Sequence, residues 1–269
     1  MDPAQHAALT QRFVAWADRT HSVVALVGVG STSGERPADR WSDHDLLIVT
    51  TDRHEAARLR QDPAHLPLPE EPMLAFAEPD HGLTVVLSDG HLLELAICGP
   101  DELEWFAADR HRVLVDRIGV SGILDQALRR NVFAPLSTPD EIQSCYQHLV
   151  KELIVVICRL GRGERISAHR HLQAALDDLL VLLQRSGHIG TAELSDPCDP
   201  ARRLERSDPQ IAARIDAALS VPLEDAVTRV LGLIAEQAIP ICGEDAPALQ
   251  AKLEWLLDNA LRETASPGV

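Results

Sequence analysis

The stretch Gly30-Ser31-Thr32-Ser33-Gly34-Glu35-Arg36-Pro37-Ala38-Asp39-Arg40-Trp41-Ser42-Asp43-His44-Asp45-Leu46-Leu47-Ile48 decides how the chain reads. It follows Val23-Val24-Ala25-Leu26-Val27, a short apolar run that suits a buried strand. Asp43 and Asp45 stand at the mouth of a second such run. Side chains alternate along a strand, so both carboxylates point to one face and His44 points to the other. Like charges held close repel each other, and they are tolerated where a hard divalent cation sits between them. Carboxylate oxygens suit Mg²⁺ in that role. Mg²⁺ usually brings substrate phosphates with it, and the Gly30-Ser31 turn offers backbone N–H groups and a hydroxyl to hold them. A dinucleotide fingerprint fits the same glycines poorly, because Pro37 and the strand at Asp45 leave no room for the helix that must receive the pyrophosphate.

A third carboxylate belongs to the same reading. Leu83–Leu87 and His91–Ile97 alternate as two strands, and Asp89-Gly90 between them predicts a tight primed turn. Glu94 lies inside the second strand, with Leu93 and Leu95 facing the opposite side. A charged residue in that setting must be solvated, paired or metal-bound, since burying it bare is costly. If its strand lies beside that of Asp43 and Asp45, three acids converge on one site, able to hold metal or to provide a general base.

These residues resemble the nucleotidyltransferases of the polymerase-β-like superfamily, and among them the streptomycin-type aminoglycoside adenylyltransferases. Trp41-Ser42-Asp43-His44-Asp45-Leu46 is similar to the Asp-x-Asp core of that group. Ser88-Asp89-Gly90-His91-Leu92-Leu93-Glu94-Leu95 is similar to its acid-bearing hairpin. Gly99-Pro100-Asp101-Glu102-Leu103 and Val113-Leu114-Val115-Asp116-Arg117 resemble the segments beyond that hairpin. The likeness spans roughly residues 23–120 and continues weakly around 145–180. It implies transfer of AMP from ATP to a substrate hydroxyl. Mg²⁺ would sit on Asp43, Asp45 and Glu94; Gly30, Ser31 and Ser42 would hold phosphates; Glu94 would be the base. Lys151, the only lysine near the start of the helical half, is a candidate phosphate contact. Two positions depart from the family pattern. Glu94 stands where many relatives have Asp, and Thr32 stands where Arg follows Gly-Ser, leaving Arg36 or Arg40 to substitute.

Composition agrees with a cationic small-molecule acceptor. The 269 residues carry 25 Lys+Arg against 41 Asp+Glu, a net charge of −16, which argues against a nucleic-acid partner held through phosphates. Hydrophobic residues make up 45%, enough for a core and too many for a disordered chain. The five cysteines are widely spaced and never form a Cys-x-x-Cys pair, so the expectation is free thiols in a reducing compartment. No apolar stretch reaches the length of a membrane span, and the N-terminus has no basic or apolar leader, which predicts a cytoplasmic protein without a membrane partner. These features specify no oligomeric state.

The rest of the chain reads as α+β. Residues 1–130 are expected to form a catalytic nucleotidyltransferase domain with a short mixed sheet. Residues 131–269 are expected to form an all-helical bundle that binds substrate and closes the cleft. Asp2-Pro3 and Thr138-Pro139-Asp140-Glu141 are helix starts. Further helices are predicted over 53–61, 166–186, 209–219, 223–237 and 246–262, and residues 62–72 are predicted to be irregular. Leu149, Leu153, Val156 and Leu160 are expected in a bundle core, while Tyr146 and Trp105 are candidates to stack on a base or sugar. Glu152, Asp177 and Asp178 are candidates to meet amines of the acceptor. His169 and His171 read as surface residues. Two further readings compete: transfer to a lincosamide, a metabolite or a protein, and a nucleotide-binding regulatory or antitoxin-like module that turns nothing over.

Overall fold

The computed structural model describes residues 1–34, 38–106, 111–131, 135–136, 138–190 and 199–265. The fold is α+β, with a mixed six-stranded sheet followed by a helical region. The chain forms two compact units, Met1–Val132 and Phe133–Val269.

The first unit opens with α1 (Pro3–Arg19), started by Asp2 and Gln5 in a reciprocal capping box. Strands β1 (Val23–Val29) and β2 (His44–Thr50) pair antiparallel. Helix α2 (Arg53–Gln61) then leads to β3 (Leu74–Ala77), β4 (Gly82–Val86) and β5 (Leu92–Cys98). Strand β6 (His111–Asp116) and helix α3 (Val120–Asn131) complete the unit. The strand order is β3-β4-β5-β2-β1-β6. Only β2 and β5 run parallel, so the chain crosses over through α2 and β3–β4 before β5 can dock.

The two faces of the sheet are covered unequally. Leu26, Leu46, Ile48, Leu93, Leu95 and Ile97 pack under Leu9 and Phe13 of α1 and Leu59 of α2. On the other face Val27, Leu47 and Val49 pack against Leu103, Phe106, Val120 and Leu124. Along β5 the buried Leu93, Leu95 and Ile97 alternate with the more accessible Leu92, Glu94 and Ala96.

The β4–β5 turn differs from the expected two-residue primed type. Leu87 N–H donates to the His91 carbonyl, Gly90 N–H donates to the Leu87 carbonyl, and only Gly90 has a positive φ, +80°. A primed type I′ turn needs positive φ at both central residues, which Asp89 does not adopt. Three residues therefore make the loop, with the glycine alone in the left-handed region.

The second unit is helical in every element described: α4 (Pro139–Gly161), α5 (Arg165–Arg185), α6 (Leu204–Ser207), α7 (Pro209–Leu219), α8 (Leu223–Gln237) and α9 (Ala246–Ala265). Thr138 and Glu141 cap α4 reciprocally. Leu149, Leu153, Val156 and Leu160 lie in its core with Leu172, Leu176, Leu179 and Val230. Among the described residues no helix is long and apolar enough to cross a membrane.

Candidate active site

The register of the parallel pair builds the site. Asp45 on β2 stands directly opposite Glu94 on β5, and Asp43 is one alternation before Asp45 on the same face. Ligand oxygens of Asp43, Asp45 and Glu94 lie within 4.8 Å of one another. Glu94 is exposed and the two aspartates are half-buried, so water and solutes reach the cluster.

The Gly30–Ser33 segment forms a 3-10 turn that closes over the start of β2. Gly30 has φ +51°, and a Cβ there would lie 2.7 Å from Asp45 Oδ2. The residue must be glycine for two reasons at once: the backbone is left-handed and the Asp45 carboxylate occupies the space. Ser31 Oγ donates to the Asp43 carbonyl at 2.9 Å and faces its carboxylate at 3.4 Å. Thr32 Oγ1 accepts the Asp45 N–H at 3.2 Å, and Ser33 Oγ donates to the Gly30 carbonyl at 2.8 Å. Ser42 accepts from Asp39 N–H at 2.9 Å and so closes the loop that leads into Asp43. Thr32 and Ser33 are buried pillars of this turn, and no motif in the sequence marks them as such.

Behind the carboxylates, on the covered face, three histidines are buried together: His6 from α1, His44 and His91. His44 stacks on His6 with ring centroids 3.7 Å apart. His6 Nε2 lies 2.9 Å from the Asp43 carbonyl, and His44 Nε2 lies 3.1 Å from the His6 carbonyl. Carbonyls only accept, so both Nε2 atoms carry hydrogen. His44 Nδ1 must then accept from His91 Nε2–H at 2.7 Å. Burial, reinforced by His6 and His91, depresses the His44 pKa to about 3, which keeps the ring neutral. Burial likewise lowers that of His91, with His6 adding to the effect.

The other expected residues have varied settings. Lys151 lies on α4 in the second unit, exposed, with Nζ 2.5 Å from Glu152 Oε1. His171 is not a plain surface residue, because its Nδ1 sits 2.6 Å from Glu152 Oε2. Tyr146 is fully buried and donates to the Ala246 carbonyl at 3.3 Å, a packing role rather than a stacking one. Asp178 lines a cavity of about 320 Å³ in the second unit with Glu141 and Arg185, and burial raises its pKa and that of Asp177. Arg40 stacks over Trp41 at 4.3 Å. Arg112 of β6, which no sequence motif singles out, brings its guanidinium beside the left-handed Gly34; a Cβ there would meet Nη1 at 2.7 Å. Arg36, the Trp105 side chain and Cys198 lie outside the described residues.

Solved structures similar to this chain include an aminoglycoside 6-adenyltransferase from Bacillus subtilis. It is 12% identical, with a TM-score of 0.39, covering 94% of this chain and 97% of that one. A nucleotidyltransferase-like protein from Exiguobacterium sibiricum is also 12% identical, with a TM-score of 0.34, covering 95% of this chain and 76% of the other. No family model and no curated protein matches the sequence.

The donor set itself tests whether a divalent cation fits. Three carboxylates with oxygens inside 4.8 Å offer hard ligands of the kind Mg²⁺ takes. Gly30 keeps Asp45 Oδ2 clear of any neighbouring Cβ. Two of the acids sit at the end of one strand, and the third faces them from a rigid central strand. The residues present fit the ion.

Proposed function

We propose that the protein is a Mg²⁺-dependent nucleotidyltransferase that moves AMP from ATP to a hydroxyl of a small cationic acceptor of the aminoglycoside kind, acting in the cytoplasm. The observation that carries this reading is the in-register pairing of Asp45 with Glu94, which brings three carboxylates together beside the Gly30–Ser33 turn.

In this reading Asp43 and Asp45 are the principal metal ligands. Mg²⁺ held by these carboxylates would supply charge to offset the triphosphate and favour in-line displacement at the α-phosphorus. Backbone N–H groups of the Gly30–Ser33 turn, with Ser31 and Ser42 beside them, hold the departing pyrophosphate. Glu94 accepts the proton of the attacking hydroxyl. The acceptor oxygen bonds to the α-phosphorus, the bond from that phosphorus to the bridging oxygen breaks, and pyrophosphate leaves with the electron pair. Glu94 is a methylene longer than the aspartates, which suits reaching an acceptor proton. The shape of the carboxylate cluster thus supports one acid acting as base beside two that hold charge.

The test is pyrophosphate release from ATP and Mg²⁺ with a panel of aminoglycosides and lincosamides. Release that depends on one class of acceptor supports transfer and identifies that class. ATP binding with no release under any acceptor would instead favour a regulatory module.

A further inference from the structure

The carboxylate face of the sheet continues past Glu94. Phe76 pairs with Thr84, Thr84 pairs with Glu94, and Glu94 pairs with Asp45. Directly paired residues project to the same side, so Phe76, Thr84, Glu94 and Asp45 form one row across four strands. One pleat along, Leu74, Val86 and Leu92 form a parallel row. Phe76 is 45% exposed and Leu74 49%, whereas Leu83, Val85, Leu93 and Leu95 on the opposite face are buried.

The β3–β4 reversal adds a charge to this shelf. Asp80 and His81 both take positive φ, +56° and +80°, and Glu78 folds back so that Thr84 Oγ1 donates to its carboxylate. A Cβ on Gly82 would come within 2.9 Å of Glu78 Cβ, so the glycine is what admits Glu78 onto this face. Glu78 therefore stands one strand from Glu94, with Phe76 next to it.

Position and chemistry together select an occupant. In-line displacement puts the incoming oxygen opposite the departing pyrophosphate. The turn at Gly30–Ser33 lies on the β1–β2 side of Glu94, so the acceptor must approach from the β4–β3 side. Strands are about 4.8 Å apart, so Phe76 lies roughly 10 Å from Glu94, a span for a molecule of more than one ring. An aromatic face accepts the C–H face of a sugar or an ammonium group. The carboxylates of Glu78, Glu94, Asp43 and Asp45 repel an anionic acceptor and attract a cationic one.

We propose that Phe76, Thr84 and Glu78 form the acceptor subsite and select a cationic, ring-bearing polyol whose reacting hydroxyl lies at Glu94. The inference rests on the proposed transferase reading and adds where the acceptor sits and which residues choose it.

The test uses the full chain, streptomycin and kanamycin as probes, and Mn²⁺ as a spectroscopic stand-in for Mg²⁺. Calorimetry gives the affinity of each probe, and steady-state assays give KM for ATP and for any probe that reacts. Phe76→Ala and Glu78→Gln should each weaken binding of the accepted probe tenfold or more. Mn²⁺ affinity and the KM for ATP should stay within about twofold, and Phe76→Trp should retain probe affinity. Unchanged probe affinity in both variants overturns the subsite, as does a parallel loss of ATP and probe. A wild-type chain that binds Mn²⁺ and ATP but neither probe also overturns it. A chain that binds no Mn²⁺ refutes the transferase reading instead, so the two failures are distinguishable.

Discussion

His6 and Asp43 are joined across 37 positions of sequence by a hydrogen bond of 2.9 Å, ring N–H to backbone carbonyl. The N-terminal helix thereby grips the main chain at the first carboxylate, while Ser31 donates to the same carbonyl from the other side. Asp43 lies just before β2. Both donors hold its carbonyl at the mouth of the strand.

Replacing His6 with Ala removes one of them and opens a void beneath the His44 ring. The expected cost is about 2–3 kcal/mol of stability, from lost packing and an unsatisfied buried network. Mn²⁺ affinity should fall as Asp43 loosens. Urea melts and a Mn²⁺ titration of the same sample measure both, and an unchanged Mn²⁺ affinity would confine His6 to packing.

Asp43→Asn and Asp45→Asn should have opposite effects on activity and stability. Transfer is expected to fall at least about a thousandfold, since each removes a charged group that the reaction uses. In the absence of divalent ions, however, each variant relieves like-charge repulsion and should melt no lower than the wild type. Melting curves in chelator and in Mg²⁺ check this; a large drop in chelator would mean that the aspartates are structural.

Glu94→Gln keeps the shape of the side chain and abolishes its basicity. Turnover is expected to fall by about 10²–10⁴, the range of a lost general base. Mn²⁺ affinity should change much less. Equal losses in both would recast Glu94 as chiefly a ligand.

Gly30→Ala tests the turn directly. Its φ of +51° costs an L-residue about 1 kcal/mol, and the new methyl must push Asp45 Oδ2 away from 2.7 Å. Reduced metal affinity with a modest stability loss is expected. Gly28→Ala should behave differently, because its methyl would meet the Thr32 backbone carbonyl at 2.5 Å, and backbone cannot swing aside. There the expected result is poor folding, read from soluble yield and circular dichroism.

The buried histidines predict an acid-labile unit. His44 has its pKa depressed from 6.5 to about 3, with His6, His91 and the nearby Asp43 and Asp89 as charged or titratable neighbours. A depressed histidine means the unfolded chain binds the proton first. Its effect is therefore absent above pH 6.5, and stability falls as pH drops from there towards 3. By pH 5 the loss from this residue is about 2 kcal/mol. Urea midpoints between pH 5 and 7.5 measure it, and His44→Gln should flatten the profile.

Much of this architecture was legible because local chemistry carried it. Asp2-Pro3 and Thr138-Pro139 combine a favoured N-cap residue with proline at the first helical position, and both start helices here. Glu94 between Leu93 and Leu95 could point only away from the core. Other parts lacked a local signal. Strand β3 is four residues long between Pro72 and Pro79, with Leu74 and Phe76 exposed, so no alternation of buried positions betrays it. Helix α3 contains Gly122, and Asp116 Oδ1 accepts the N–H groups of Ile118, Gly119 and Val120 from four residues upstream, outside the usual capping spacing. The pairing of β2 with β5 had to be supposed, since parallel partners leave no turn between them to read. His6 is an ordinary helix residue until the sheet folds beneath it.

The parallel pairing has a consequence for assembly. A slip of one residue along β5 would swing Glu94 into the leucine-lined side and leave two acids where three are needed. The cation would then bind poorly, and it would contribute little of the roughly 2.7 kcal/mol that a ligand at a hundred times its Kd gives to the state that holds it. Under the proposed function, magnesium would act as a ruler for the sheet: it would reward the one alignment in which the aspartates, made early in synthesis, meet a glutamate made later.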